Sequence, residues 1–436
     1  MEIKPFRAYR FDPKVVGNPG DCIVPPYDLS KPDIQEHFYK KNEYNIIRII
    51  SDKITQNDNE SNNQYTRAAE NLNSWIEKGV LKQDSDDSIY AYVQDFEIDG
   101  RKYQRNSFIS LAELEKYGKG VKAHEDTLDG VTADFLKLQR ATQAQFSLIF
   151  MLYEDPKKAA DKIIEQAARR EPLIDHVDED KVRHRLFKIT ESKQIETIRK
   201  ITVDKSCIIA DGHHRYLTAL NYYKETGNPK AAWQMIAFAN TLNEGVIVLA
   251  THRLVVRLRN FETKKLLTGL EENFKITEYP FDSNETKNAA REKMSKQMKA
   301  ESERDRNAYG IYIADGAFRA AVLKNRKAMD ETCPDKSEAW RRLEVSVLHK
   351  LILEKLLGIG QMELASKRNL EYITDGGHST EQIIGRVDGG RAQAAFFVNP
   401  EKVKMIQQVA NAGETMPQKS TFFYPKVFSG LTIYKM

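Results

Sequence analysis

Asp211-Gly212-His213-His214-Arg215 puts a carboxylate, a glycine, two imidazoles and a guanidinium in consecutive positions. The apolar run Ser206-Cys-Ile-Ile-Ala210 precedes it and reads as a short buried strand; Tyr216–Tyr223 follows and reads as a helix ended near Gly227-Asn-Pro229. A turn from a buried strand into a helix leaves backbone N–H groups without intrahelical partners at the positive end of the helix dipole, where an anion is favoured. Gly212 lets the chain turn tightly and lets a phosphate approach the backbone. Arg215 offers a planar fork that matches phosphate oxygens. His213 and His214 can donate hydrogen bonds or shuttle a proton near neutral pH. Asp211 can cap the helix, or hold a Mg²⁺ that accompanies a nucleotide. The plain alternative is that Asp211 merely caps while the histidines pack beneath the turn. Two imidazoles and a guanidinium at a helix start are costly for packing alone, which favours the chemical reading. A shared metal on His213 and His214 is disfavoured, because neighbouring helical residues point about 100° apart.

Two other segments carry chemistry. In the loop after Gly118, His124-Glu125-Asp126-Thr127 offers a carboxylate that could act as general base toward a hydroxyl, and a histidine that could orient a substrate or phosphate. Alone, the same residues suit a solvated loop whose carboxylates cap the next helix. The tail Met416-Pro-Gln-Lys-Ser-Thr421, with Gly413, nearly spells a P-loop, but Gln418 stands where the second glycine is needed. The P-loop is rejected; Lys419, Ser420 and Lys426 stay as candidate contacts to an anion. Thr251-His252-Arg253 and Pro25-Pro26-Tyr27-Asp28 read as structural, a strand end and a fixed turn.

The elements around these segments alternate strand and helix. A short strand is expected from Cys22, stopped by Pro25-Pro26, with Asp28 or Ser30 capping a helix begun by Pro32. Residues 51–64 read as a loop before a helix over Tyr65–Lys78. Asp99-Gly100 is the strongest hairpin signal, between strands Ser88–Ile98 and Tyr103–Glu113. Further helices are expected over Ala133–Thr142, Lys157–Arg170, Lys193–Val203, Glu285–Arg306 and Ser337–Leu357. Further strands are expected over Phe146–Tyr153, Lys181–Thr190, Ala308–Ile313 and Ala394–Val398.

Composition bounds the rest. A chain of 436 residues with 41% hydrophobic and 30% charged residues predicts two domains with ordinary cores. No apolar run reaches the roughly 18 residues a membrane span needs, and the N-terminus has no apolar signal segment. Cys22, Cys207 and Cys333 lie far apart, which predicts reduced thiols and a cytoplasmic protein. A net charge of +4 over this length gives no support to nucleic-acid binding.

Taken together, VPPYDLS, AHEDT, IIADGHHRYLTAL, THR and MPQKSTFFYPKVFSGL resemble the family known as domain of unknown function 1015, over nearly the whole chain. A strand entering DGHHR and then a helix is also similar to the phosphate-binding turn of the ParB/sulfiredoxin-like superfamily. That group includes CTP-binding partition proteins, sulfiredoxin and free-serine kinases. The turn here has no cysteine, which argues against sulfiredoxin chemistry, and no helix-turn-helix follows it, which argues against a partition role. The resemblance to the serine kinases implies that an upstream acidic residue activates the acceptor hydroxyl, and Glu125 matches it.

The expectation is therefore a mixed α/β protein. Residues 1–255 form a ParB/sulfiredoxin-like domain that carries the nucleotide and phosphate site, and residues 256–436 form a second α/β domain. The leading function is a nucleotide-dependent phosphotransferase that takes ATP or ADP with Mg²⁺ and acts on a small hydroxylated metabolite, free serine first. Glu125 and His124 are the catalytic candidates; Asp211, Gly212, His213, His214, Arg215, Lys419 and Ser420 are the nucleotide-binding candidates. The alternatives are a non-catalytic nucleotide-binding switch, and a metal-dependent hydrolase or phosphatase using His124, His213 and His214.

Overall fold

The computed structural model describes residues 1–26, 31–125, 129–203, 205–360, 363, 368–376 and 379–436, with backbone alone for 129–131. Tyr27, Asp28 and Ser30 of the N-terminal turn, and Asp126 and Thr127 of the acidic loop, lie outside the described residues. The chain is mixed α/β and divides into two compact units. One comprises Met1–Ala123, Thr127–Ile247 and Pro425–Met436; the other comprises His124–Asp126 and Val248–Tyr424. No helix among the described residues is long and apolar enough to cross a membrane. The three cysteines are buried and unbridged.

The first unit is built on a nine-stranded mixed sheet. Its strands are β1 (Ile3–Lys4), β2 (Ile89–Ile98), β3 (Arg101–Glu113), β4 (Val121–Lys122), β5 (Ile149–Tyr153), β6 (Ile174–Val177), β7 (Arg183–Ile189), β8 (Cys207–Asp211) and β9 (Trp233–Asn240). They run in the order β4-β8-β5-β9-β3-β2-β7-β6, with β1 on β3. The long β2–β3 hairpin turns on Asp99 and Gly100, both in the left-handed region at φ 50° and 77°, as a two-residue primed turn requires. Pairing is parallel between β4 and β8 and between β5 and β9, and antiparallel elsewhere on this path. Phe108 and Phe238 stack across β3 and β9 at 5.0 Å, within a core that also takes in Ile149, Met151 and Ile209.

Two helices of this unit bear on the site: α1 (Asp129–Thr142) and α2 (His213–Thr226). The second begins at His213, three residues before the expected start, so both histidines and Arg215 occupy its first turn. The expected strand from Cys22 is replaced by a 3₁₀ turn over Pro19–Cys22. Pro19 fixes the first φ and the Asn18 side chain accepts from the Gly20 N–H at 3.0 Å. What remains of the strand is one bridge from Val24 to Ser429. The following helix, Pro32–Lys41, starts with its proline and has Lys31 at the N-cap, without a side-chain capping bond.

The second unit holds a six-stranded sheet. Its strands are β10 (Thr251–Val255), β11 (Phe274–Pro280), β12 (Ala308–Tyr312), β13 (Ala317–Leu323), β14 (Leu370–Thr374) and β15 (Ala394–Phe397), in the order β11-β13-β12-β15-β10-β14. The helix Asn284–Glu303 packs Met294 and Met298 against it, so closely that a side chain at Gly310 would sit 2.7 Å from the Met294 sulfur. The single helix expected over Ser337–Leu357 is instead three pieces: Glu338–Arg341, Glu344–Val347 and a π-helical stretch, Leu348–Glu354. Leu343 takes an extended conformation between the first two, and burying both Trp340 and Leu343 overrides the helical periodicity.

Candidate anion site and the tail segment

Strand β8 enters the turn through an apolar, buried run and ends on Asp211, with a register irregularity against β5 between Ile209 and Asp211. Ala210 is the residue without a partner there, and Asp211 rejoins the ladder opposite Phe150. Gly212 follows at φ 99°, a conformation that side chains with a Cβ rarely adopt. A Cβ there would also meet the Arg215 guanidinium, 2.9 Å from Nη2 and 3.0 Å from Nε. The turn thus needs glycine both for its backbone and because Arg215 folds back over it.

Gly212, not Asp211, is the N-cap of α2, and it supplies no side-chain cap. The capping role open to Asp211 in the sequence is not the one it takes. Its carboxylate instead accepts from Lys426 Nζ at 2.9 Å and lies 3.5 Å from Arg215 Nη2. Burial pushes this carboxyl up, but the charges of Lys426 and Arg215 outweigh it and hold the group well below the ordinary carboxylate range. Burial lowers the Arg215 guanidinium, and Asp211 opposes that shift.

A third cation was not singled out from the sequence. Arg105, on β3, is fully buried beside the face of Phe150, 4.5 Å from the ring centre. Its Nε donates to Gln94 Oε1 at 3.0 Å and its Nη2 to Gln94 and to the Pro425 carbonyl, while Nη1 has no hydrogen-bond partner among the described residues. Burial pulls this guanidinium down to about 10, against the opposing influence of Tyr92 and Asp211, so it stays charged at neutral pH. Gln94 Nε2 donates to the Lys426 carbonyl at 2.9 Å. Arg105 and Gln94 therefore fix the backbone of Pro425-Lys426, and that backbone places Lys426 on Asp211. The sequence signal was a lone arginine at the head of the buried run Asn106–Ala112 of β3.

Beside this cluster lies a cavity of about 230 Å³, lined by Arg215 and by Phe135, Leu138, Gln139 and Phe146 among others. Gln139 is buried, and its amide nitrogen has no hydrogen-bond partner among the described residues. One guanidinium, that of Arg215, with aromatic rings and a primary amide forms a lining able to take a flat polar ring that carries an anionic group, and Asp134 also borders the cavity. Mg²⁺ does not fit at Asp211, whose carboxylate is already engaged by two cations. Among the described residues no three His, Cys, Asp or Glu side chains form a group that could hold a metal.

His213, buried, and His214, half-buried, stand in the first turn of α2, and the remaining candidates lie in the second unit. His124 is fully buried; its Nε2 shares a hydrogen bond with Thr421 Oγ1 at 2.8 Å and its carbonyl accepts from the Met416 N–H at 2.8 Å. Glu125, half-buried, bridges to Met416, so AHEDT and MPQKST run side by side. Ser420 is buried and its hydroxyl donates to the Pro417 carbonyl. Lys419, at φ 57°, is exposed, and its carbonyl accepts from Arg253 Nη2 at 3.0 Å. A strand, Phe422–Tyr424, follows the segment, where a P-loop would need a helix. The first unit thus brings together Asp211, Gly212, Arg215 and Lys426 and adds Arg105; the second joins His124 and Glu125 to the tail segment.

No curated protein matches the chain. Among solved structures it is similar to a free serine kinase in complex with AMP, at 12% identity over 71% of this chain and 92% of that one, with a TM-score of 0.33. It is similar in the same degree to a conserved hypothetical protein from Pyrococcus furiosus, at 12% identity over 72% and 93% of the two chains and a TM-score of 0.32. SbnI with a C-terminal truncation from Staphylococcus aureus matches at 11% identity over 73% and 84%, with a TM-score of 0.32. Likeness at this level decides nothing about chemistry. The profile of the family described as protein of unknown function DUF1015 matches residues 3–346, most of the chain, and the chain belongs to that family.

Proposed function

We propose that this protein is a nucleotide-dependent phosphotransferase that phosphorylates a small hydroxylated metabolite, with free serine the first candidate. The observation that carries the reading is the pairing of Arg215 and Lys426 with one carboxylate at an uncapped helix N-terminus, with buried Arg105 holding the backbone that bears Lys426. Two cations on one carboxylate, with the charge of Arg105 within its electrostatic reach, leave an excess of positive charge in a largely buried place, and a nucleotide phosphate is a fitting counter-charge. The adjoining cavity, with Phe135, Phe146 and Gln139, suits the base or sugar of that nucleotide.

In this scheme the backbone N–H groups of the first turn of α2 and the Arg215 fork hold the terminal phosphates. Arg105 and Lys426 neutralise charge that develops on the leaving phosphate. A bond forms from the acceptor hydroxyl oxygen to phosphorus, the bond from phosphorus to the bridging oxygen breaks, and the hydroxyl proton passes to a carboxylate base. Positioning and charge neutralisation supply most of the rate. Mg²⁺ bound to the nucleotide would add charge neutralisation, and Asp211 is not assigned to hold it. The base is assigned to Glu125 from the resemblance to the serine kinases.

The assignment of Glu125 has its own test. Glu125→Gln should lower turnover about a thousandfold, within the range of a lost general base, while nucleotide affinity stays within about twofold. Calorimetry of nucleotide binding, set beside product formation by the same preparation, separates the two effects. Equal loss of both would remove Glu125 from the catalytic role.

A further inference from the structure

The segment Met416-Pro417-Gln418 is not used by the phosphate cluster, yet it lines a cavity of about 360 Å³ in the second unit, with Lys336, Trp340 and His349 on other walls. His349 sits in the π-helical stretch Leu348–Glu354, where the Lys355 N–H donates to the Lys350 carbonyl and the Leu357 N–H to the Ile352 carbonyl, five residues back in each case. Such wide turns are rare, strained relative to the α-helix, and frequent at functional sites. His349 is buried, and its Nε2 has no hydrogen-bond partner among the described residues. Burial, and then the charges of Arg253 and Lys350, hold the imidazole well below its ordinary value, so it is neutral at pH 7. A buried neutral ring nitrogen without a partner costs stability unless something binds it.

The other walls narrow what that something is. The Trp340 indole is fixed by its Nε1, which donates to the Thr415 carbonyl at 3.0 Å, and it offers a flat apolar face. Lys336 Nζ stands 5.6 Å from the centre of that ring, and among the described residues it forms no ion pair. The cavity's other ammonium, on Lys350, is taken by Glu354 at 2.6 Å. Buried Cys333, Ile359 and Met416 supply apolar lining, and the carboxylates of Asp335 and Glu354 also border the cavity, the latter engaged by Lys350.

We propose that this cavity is a binding site for a small planar carboxylate, an aromatic or heteroaromatic acid. Its ring lies against Trp340, its carboxylate meets Lys336, and a polar ring atom bonds His349 Nε2. The site is separate in its residues from the phosphate cluster and stands whether or not the chain transfers phosphate.

The test uses the full chain and three probes of one shape: nicotinate, nicotinamide without the charge, and benzoate without the ring nitrogen. Saturation-transfer NMR and calorimetry should give saturable nicotinate binding at millimolar concentration or tighter, with each of the other two at least about tenfold weaker. Lys336→Met, on a half-buried side chain, should reduce nicotinate to the nicotinamide level. His349→Gln should erase the preference for nicotinate over benzoate, and a far-ultraviolet spectrum checks that it folds. No saturable binding of any probe, equal affinity for all three, or nicotinate binding unmoved by Lys336→Met would each overturn the proposal.

Discussion

Arg215→Ala is expected to weaken ADP binding about thirtyfold, equivalent to about 2 kcal/mol, the worth of a charge-assisted contact in a partly buried place. Arg215 makes one long ionic contact, to Asp211 at 3.5 Å, and it lines the neighbouring cavity. Removing it should therefore cost little folding stability and much phosphate affinity. The loss should fall on the phosphate end, so adenosine should bind the variant and the native protein alike. Calorimetry with ADP and adenosine reads both quantities. Unchanged ADP affinity would count against the whole phosphate site, whereas equal losses for ADP and adenosine would mean a collapsed cavity.

Asp211→Asn is expected to act on stability rather than on binding. The carboxylate accepts from Lys426 and faces Arg215, and its loss leaves buried cations without their counter-charge. Because Asp211 is about a third exposed, the cost is set at about 2 kcal/mol, below the range for fully buried pairs, or about 5 °C in melting temperature for a unit of this size. Inorganic phosphate should restore part of that loss, and should stabilise the variant more than the native protein, since the anion then stands in for the carboxylate. The pH dependence has a definite sign. The folded carboxyl is held below its unfolded value, so its contribution is present at pH above the ordinary carboxylate range and fades as pH falls below about 4. The gap between native and variant melting temperatures should thus be widest near neutrality and narrow towards pH 3. A constant gap across that span, with no effect of phosphate, would mean that Asp211 acts through packing alone.

Much of the local structure was legible in the residues, because the signals were backbone requirements. Asp99-Gly100 demands positive φ at two successive positions, and the hairpin forms there. The run Cys207–Ala210 is apolar throughout, and it is a buried strand ending at the turn. What stayed hidden depended on residues far apart in the chain. Arg105 lies more than a hundred positions before the turn, and only the sheet order brings β3 within reach of the charge on β8. Lys426 was visible as a candidate, but its bond to Asp211 depends on Arg105 and Gln94 holding the Pro425-Lys426 backbone. The break at Leu343 and the π-helical stretch after it escaped the periodicity of Ser337–Leu357 for a different reason. Apolar residues there serve several walls of one core, so the spacing mimics a single continuous helix. His124 shows the opposite case: in sequence it stands in a polar loop, yet the strand-like pairing of Glu125 with Met416 draws it fully inside.

The most direct measurement is phosphorus NMR of the native protein with ATP, Mg²⁺ and a pool of hydroxyl-bearing metabolites that includes serine. A new phosphomonoester resonance, growing with ADP and dependent on one acceptor, is the predicted result, and it names the substrate. ATP resonances that neither shift nor broaden, with no phosphomonoester formed, would contradict the account at its centre, the phosphate site on Asp211–Arg215.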